Sequence, residues 1–215
     1  MPYNGGMKAS RPDAIVFDIG EVLLRLDFSR LLAAMQLPPG TSGPAIDALN
    51  RWDLYDAYER GALPESEFRA KFSARLGCEL SPEAFRDLWN SVIAGEVLGI
   101  AALVEALAAE VPLYALTNSN ETHVRHCLER YPFFSRFRRV FSSHELRGRK
   151  PEPEVFAAVA KHAGVAPQRL LFVDDREENV AGARRAGYRA EVCRRSPEDL
   201  RAILERYGFS GLAPG

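Results

Sequence analysis

The chain has little of what marks several protein classes. Cysteine is scarce: Cys78, Cys127 and Cys193 are the 3 in 215 residues, far apart and without CxxC or Cys/His ligand spacing. That argues against a disulfide framework and a zinc site, and it fits a reducing cytoplasm. An excess of one charge is missing too. Lys and Arg number 28 against 29 Asp and Glu, a formal net charge of -1. The basic residues are interleaved with acids, as in "ERYPFFSRFRR", so neither a nucleic-acid stripe nor a membrane-binding face is expected. No apolar run approaches the length that spans a bilayer, and "MPYNGGMKASRP" has neither a signal core nor a transit pattern, so residues 1–12 read as a loose leader. Internal repeats and low-complexity stretches are absent. What these exclusions leave is a cytoplasmic protein with a small-molecule partner and an oligomeric state that the sequence does not reveal.

What is present is ordinary for a globular chain: 47% hydrophobic and 27% charged residues, enough for one sizeable core with a small insert. Short apolar runs read as buried strands: "AIVF" (14–17), "VPLYAL" (111–116), "RVFSS" around Val140, "LLFV" (170–173) and "YRAEV" (188–192). Helical patterns separate or follow them, among them "GIAALVEALAAE", "THVRHCLER", "PEVFAAVAKHAG", "ENVAGARRAG" and "PEDLRAILERYG". Strand alternating with helix predicts an α/β fold, a Rossmann-like, doubly wound parallel sheet covered on both faces.

The stretch between the first two strands is far longer than a crossover needs. It is not loop-like, because "FSRLLAAMQL", "AIDALNRWDLYDAYERG", "PESEFRAKFSARLG" and "SPEAFRDLWNSVIAG" all carry three- and four-residue apolar spacing. The expected organisation is a core of residues 1–26 and 96–215 with a small helical domain, 27–95, inserted after the first strand. Hinge loops are expected near Leu26 and Gly95.

In an open parallel sheet, residues just past the carboxyl ends of the strands share one crevice. Four such positions carry chemistry: Asp18; Thr117-Asn118-Ser119-Asn120; Gly148-Arg149-Lys150-Pro151; and Asp174-Asp175. Taken singly, each has a plain structural explanation: a turn, a helix cap, a solvated lysine before a helix, a favourable charge at a helix N-terminus. Those explanations do not account for two acidic sites, a hydroxyl and a lysine meeting at one rim. Three carboxylates crowded together repel one another unless a cation sits among them, and hard oxygen ligands suit Mg²⁺. A carboxylate can then attack a phosphoryl group whose charge is offset by the metal and Lys150, while the Thr117 hydroxyl and nearby amides hold its oxygens.

The four stretches "VFDIGEVLL", "LYALTNSN", "GRKPEPEVF" and "LLFVDDREENVAGARRAG" together resemble, in order, the motifs of the haloacid-dehalogenase-like (HAD) hydrolase superfamily. They frame nearly the whole chain after the leader, and the insert resembles the family's small helical cap. The resemblance implies a phosphatase acting on a small phosphorylated metabolite, sugar phosphates included, through an aspartyl-phosphate intermediate. It implies Asp18 as nucleophile and metal ligand, Thr117 and Asn118 as phosphoryl-binding groups, and Lys150 as charge stabiliser. Asp175 is then a metal ligand with Asp174 assisting, and the carbonyl of Gly20 is a further ligand to Mg²⁺.

One position departs from the pattern. Family phosphatases usually carry an aspartate two residues after the nucleophile, as the general acid and base; here Gly20 stands there, a DxG variant. Such a group is worth about 10² to 10⁴ in rate. Glycine is expected here for its permissive φ in a tight turn, and Glu21 is the conceivable substitute acid. The gap keeps two other readings open: a haloacid dehalogenase, whose departing halide needs no proton, and a binding protein that has kept the fold without turnover.

The insert's "NRWDLYDAYERGAL" holds Trp52, Asp53, Tyr55, Asp56, Tyr58 and Glu59, a mix that suits a polar pocket. At helical spacing the aromatics are better read as a packed stripe. His123 and His126, at i and i+3, read as surface residues.

Overall fold

The computed structural model describes residues 10–36, 52–194 and 196–211. Most of the expected leader and the first part of the helix expected over 45–61 lie outside them. In chain order the strands are β1 (Ala14–Phe17), β2 (Leu24–Leu26), β3 (Ile93–Glu96), β4 (Leu113–Thr117), β5 (Arg139–Ser142), β6 (Leu170–Asp174) and β7 (Arg189–Val192). Five of them form one parallel sheet in the order β5-β4-β1-β6-β7.

This sheet is the expected doubly wound one. The runs "AIVF" and "LLFVD" are buried throughout because helices cover both faces. With a period of two, Ile15 and Phe17 face a cluster shared with α5 (Ile100–Ala108) and α10 (Pro197–Arg206), whereas Ala14 and Val16 face α8 (Pro153–Ala163) and α9 (Glu177–Arg185). On that second face Phe156 of α8 packs edge-on to Phe172 of β6 at 5.4 Å, and truncating such a buried ring to alanine costs about 3–5 kcal/mol. The helices start where the sequence supplies caps. Ser196 accepts from the amides of Glu198 and Asp199 ahead of Pro197, Asn120 caps α6 (Glu121–Arg130) through the His123 amide, the short α7 (Ser143–Leu146) follows β5 directly, and left-handed Gly164 closes α8.

Register matters most for function. Phe17 pairs with Ala115 on one side and Val173 on the other, so the carboxyl ends of β1, β4 and β6 lie side by side. Asp18, Thr117 and Asp174 therefore occupy one rim. Among the described residues no helix is long and apolar enough to cross a membrane.

Between β2 and β3 the described helices are α1 (Ser29–Ala34), α2 (Asp53–Glu59), α3 (Glu65–Leu76) and α4 (Pro82–Asn90). They share an aromatic core of their own, with Phe68 stacked on Tyr58 at 4.2 Å and packed edge-on to Trp89 at 4.8 Å. Here the structure departs from the expected pattern. The helix expected over 81–95 stops at Asn90, and Ile93–Glu96 turns into β3, antiparallel to β2. Leu26 and Gly95, expected in hinge loops, are both in this ribbon, paired with Ile93 and Arg25 respectively. Bonds from Asp27 N to Val92 O (2.8 Å) and Val97 N to Leu23 O (3.0 Å) extend it at both ends. The β-branched pair Val92-Ile93 favours extended backbone once the amphipathic helix is spent.

Candidate active site

Asp18 is the first residue beyond β1. Its amide donates to Val173 O at 2.8 Å, continuing the ladder past the strand, and its Oδ1 accepts from Ile19 N at 2.7 Å. The chain then turns tightly, with the amides of Leu23 and Leu24 both reaching Ile19 O at 2.9 Å. The left-handed residue in this turn is Glu21, φ 59°, and not Gly20. The expected reason for Gly20 is thus corrected: its φ is not left-handed, and a Cβ there would make a close contact of 3.0 Å with the Leu26 Cδ1 methyl. Glu21, the conceivable substitute acid, directs Oε1 to Leu26 N at 3.1 Å.

Lys150 reaches the rim from the loop before α8. Its Nζ lies 2.7 Å from Asp18 Oδ1 and 2.7 Å from Asp174 Oδ2, with the lysine side chain 1% exposed. The loop is pinned from two directions. Asn118 accepts from Lys150 N at 2.8 Å and donates to Lys150 O at 2.9 Å. Gly182 of α9 lets the helix close on Pro151, where a Cβ would meet the proline at 2.6 Å. The Asn118 side-chain amide, expected at the phosphoryl group, thus holds the lysine's backbone while Asn118 also lines the cavity. Thr117, at the end of β4, is buried and faces the same cavity.

Asp174 is completely buried. Besides Lys150 it accepts from Arg176 N at 2.8 Å and from Asn179 Nδ2, at 3.1 Å to each oxygen. Asp175 is half-buried. Each of Asp18, Asp174 and Asp175 offers a carboxylate oxygen within 4.8 Å of the others. Burial pushes Asp18 up to about 7, and the charges of Asp174 and Asp175 add to that against the pull of Lys150. One lysine does not neutralise three carboxylates. That donor set, hard oxygens with one charge to two in excess, fits a divalent cation.

The rim forms the floor of a cavity of about 300 Å³. Tyr55 and Glu59 of α2 also line it, as do Leu24, Leu26, Phe28 and Ile93 from the ribbon and its surroundings. Arg149, next to Lys150 in the chain, points the other way, with Nη1 2.7 Å from Asp56 Oδ1 and Nη2 2.7 Å from Glu59 Oε2.

Several of these residues were missed in the sequence. Asn179 sits on the inward face of α9 one turn beyond the acidic pair, a spacing that offered a signal. Glu59 was weighed only as part of a mixed stripe, and Arg149 only as the neighbour of Lys150. His123, expected at the surface, stacks on Trp89 at 5.4 Å, and its Nε2 lies 2.9 Å from Trp89 O. Burial pushes it down to about 4. Trp52 and Tyr58 belong to the aromatic core as a packed stripe should, but Tyr55 faces both the core and the cavity.

A family model described as haloacid dehalogenase-like hydrolase matches residues 12–187. Among curated proteins, D-ribitol-5-phosphate phosphatase of Bacteroides thetaiotaomicron is 25% identical over 181 residues, spanning 81% of this chain and 88% of that protein. A phosphatase of Mycobacterium tuberculosis is 29% identical over 199 residues, 89% of this chain and 91% of its own. Among solved structures, a wild-type HAD family enzyme from Bacteroides thetaiotaomicron, in complex with magnesium and inorganic phosphate, superposes with a TM-score of 0.71 at 25% identity, covering 86% of this chain and 94% of that one.

Proposed function

The chain belongs to the haloacid dehalogenase-like hydrolases, and from that premise we propose that it is a Mg²⁺-dependent phosphatase of small phosphorylated metabolites, sugar phosphates among them. The observation that carries the reading is the meeting of Asp18, Asp174 and Asp175 within 4.8 Å, around a lysine that touches two of them. Asp18, Asp174, Asp175 and the Gly20 carbonyl are the proposed ligands of Mg²⁺, which supplies Lewis-acid neutralisation of phosphoryl charge when bound. Relatives named as phosphatases, and a similar enzyme crystallised with magnesium and phosphate, support the same assignment.

In the proposed reaction an Asp18 carboxylate oxygen forms a bond to phosphorus, and the ester oxygen leaves with the bonding pair and takes up a proton. Water then attacks the phosphorus of the aspartyl phosphate, which releases inorganic phosphate and restores the carboxylate. Lys150 offsets charge on the nucleophile and the phosphoryl oxygens, and Thr117 donates to one of those oxygens. Residues 27–95 act as the cap over a core of 1–26 and 96–215; the separate aromatic cluster, and the two α2 side chains facing the cavity, support that division. A dehalogenase needs no cation, and the uncompensated carboxylates speak against it.

The test is hydrolysis of p-nitrophenyl phosphate by the purified protein with Mg²⁺. Activity abolished by a chelator and reduced at least about 10³-fold in Asp18→Asn is expected. Wild-type rates in that variant overturn the nucleophile, and metal-independent halide release from 2-chloropropionate overturns the phosphatase reading.

A further inference from the structure

The cavity has a second polar end. Glu59, 2% exposed, lines it from α2 and is held from three sides. The Tyr55 hydroxyl donates to Oε1 at 2.6 Å, the Ser143 hydroxyl donates to the Glu59 carbonyl at 2.6 Å, and Arg149 Nη2 forms an ion pair with Oε2 at 2.7 Å. Yet Oε2 accepts no aligned hydrogen bond. A buried carboxylate oxygen left without one is costly and calls for a donor. Burial pushes Glu59 up to about 7 in spite of Arg149 and Tyr55, as expected for an incompletely satisfied acid.

Two further facts say which donor fits. Lys150 and Arg149 are consecutive and address opposite walls, Lys150 the Asp18 floor and Arg149 the α2 wall. Asp18, Glu59 and the apolar side chains of Leu24, Leu26 and Phe28 line the same cavity, so the remainder of an ester held at Asp18 shares its enclosure with Glu59. The α2 wall also carries no spare positive charge. Arg149, Arg60 and the cavity-lining Arg176 are each paired, with Asp56, Glu59, Glu152 and Glu178, so none of these three cations lacks an acidic partner. An anionic tail finds no unpaired cation among them, whereas a neutral hydroxyl supplies an aligned hydrogen bond to Oε2.

We infer that Glu59, positioned by Tyr55 and Arg149, is the specificity determinant of this site, accepting a hydrogen bond from a hydroxyl of a neutral polyol or sugar phosphate and excluding esters with a carboxylate tail. This rests on the phosphatase reading above. The test compares kcat/KM for ribitol 5-phosphate and for phosphoglycolate, with p-nitrophenyl phosphate as a common reference, in wild type, Glu59→Gln, Glu59→Ala and Tyr55→Phe. Wild type prefers ribitol 5-phosphate, and the preference falls at least about tenfold in both Glu59 variants, mostly through KM. It falls less in Tyr55→Phe, which keeps the carboxylate and serves if the Glu59 variants do not fold. A wild type that prefers phosphoglycolate, or a preference unchanged in folded variants that still turn over p-nitrophenyl phosphate, overturns the inference alone. Absence of turnover of every ester by wild type overturns the phosphatase reading, and the inference with it.

Discussion

Gly20 and Leu26 meet across the turn that follows β1, so close that a Cβ on the glycine would stand 3.0 Å from Leu26 Cδ1. An aspartate at this position therefore requires the Leu26 methyl to give by a few tenths of an ångström. Gly20→Asp is expected to lower stability by about 1–3 kcal/mol, the usual cost of overpacking, as read from urea denaturation. It should also raise turnover of alkyl phosphates relative to p-nitrophenyl phosphate by about 10- to 10²-fold, because a poor leaving group benefits most from a proton donor. An unchanged ratio in the folded variant would show that position 20 does not face the leaving oxygen.

Lys150→Met removes the cation shared by Asp18 and Asp174. Breaking a buried ion pair by deleting one partner costs about 3–5 kcal/mol, and the melting temperature should drop accordingly. Millimolar Mg²⁺ is expected to recover more of the loss than the same ionic strength of NaCl, as thermal denaturation with each salt would show. Equal recovery would place no divalent cation among these carboxylates.

The two acidic neighbours differ in how they are held. Asp174 is completely buried and accepts from Lys150, Asn179 and the Arg176 amide, so Asp174→Asn should act first on stability. Asp175 is half-buried at the cavity, and Asp175→Asn should raise the Mg²⁺ concentration for half-maximal activity at least about tenfold. Metal titrations of both variants decide the order; a larger shift in Asp174→Asn reverses the assignment.

His123 titrates at about 4 in the folded protein, pushed down by burial from an ordinary 6.5. The unfolded chain takes up this proton first. The stability tied to the neutral ring is therefore complete above pH 6.5 and is lost as pH falls toward 4, by up to about 3 kcal/mol. Asp18 and Glu59, both raised to about 7, shift stability the other way but are common to wild type and His123→Gln. The difference between the two proteins, measured by denaturation from pH 7.5 to 4.5, should move against wild type as the solution is acidified. A constant difference would mean that the half-buried setting of the ring at the cavity does not disfavour its charge.

The sheet and its rim were legible because parallel strands buried on both faces are read as unbroken apolar runs, and the residue after each run has nowhere to go but the crevice. Asp18, Thr117 and Asp174-Asp175 stand at the ends of β1, β4 and β6 on that ground, whereas Lys150 comes from the loop before α8 and meets Asp18 and Asp174 through its side chain. The β2–β3 ribbon was not, because Leu24–Leu26 is only a continuation of the first apolar run and Ile93–Glu96 follows a helix without a turn signal. Glu59 falls in a stretch that suits a polar pocket and does line the cavity, but its partners, like the setting of His123, are not legible locally. A charged residue on an amphipathic helix is usually solvated, and nothing local in "YDAYERG" or "ETHVRH" announces Arg149 or Trp89, which the fold brings from far along the chain. Gly20 is not set by its backbone angle; the local feature there is a close neighbour six residues ahead, which a sequence does not show.

The ribbon has one more consequence. The backbone departs along Leu24–Leu26 and comes home along Ile93–Glu96, the two lanes bonded to each other, so everything between them is spliced in at a single seam. A segment of different length or shape, grafted at that seam, leaves the five-stranded ladder as it is and replaces the partners that Asp56 and Glu59 offer Arg149. Descent can thus rewrite what such a protein accepts while leaving alone what it does.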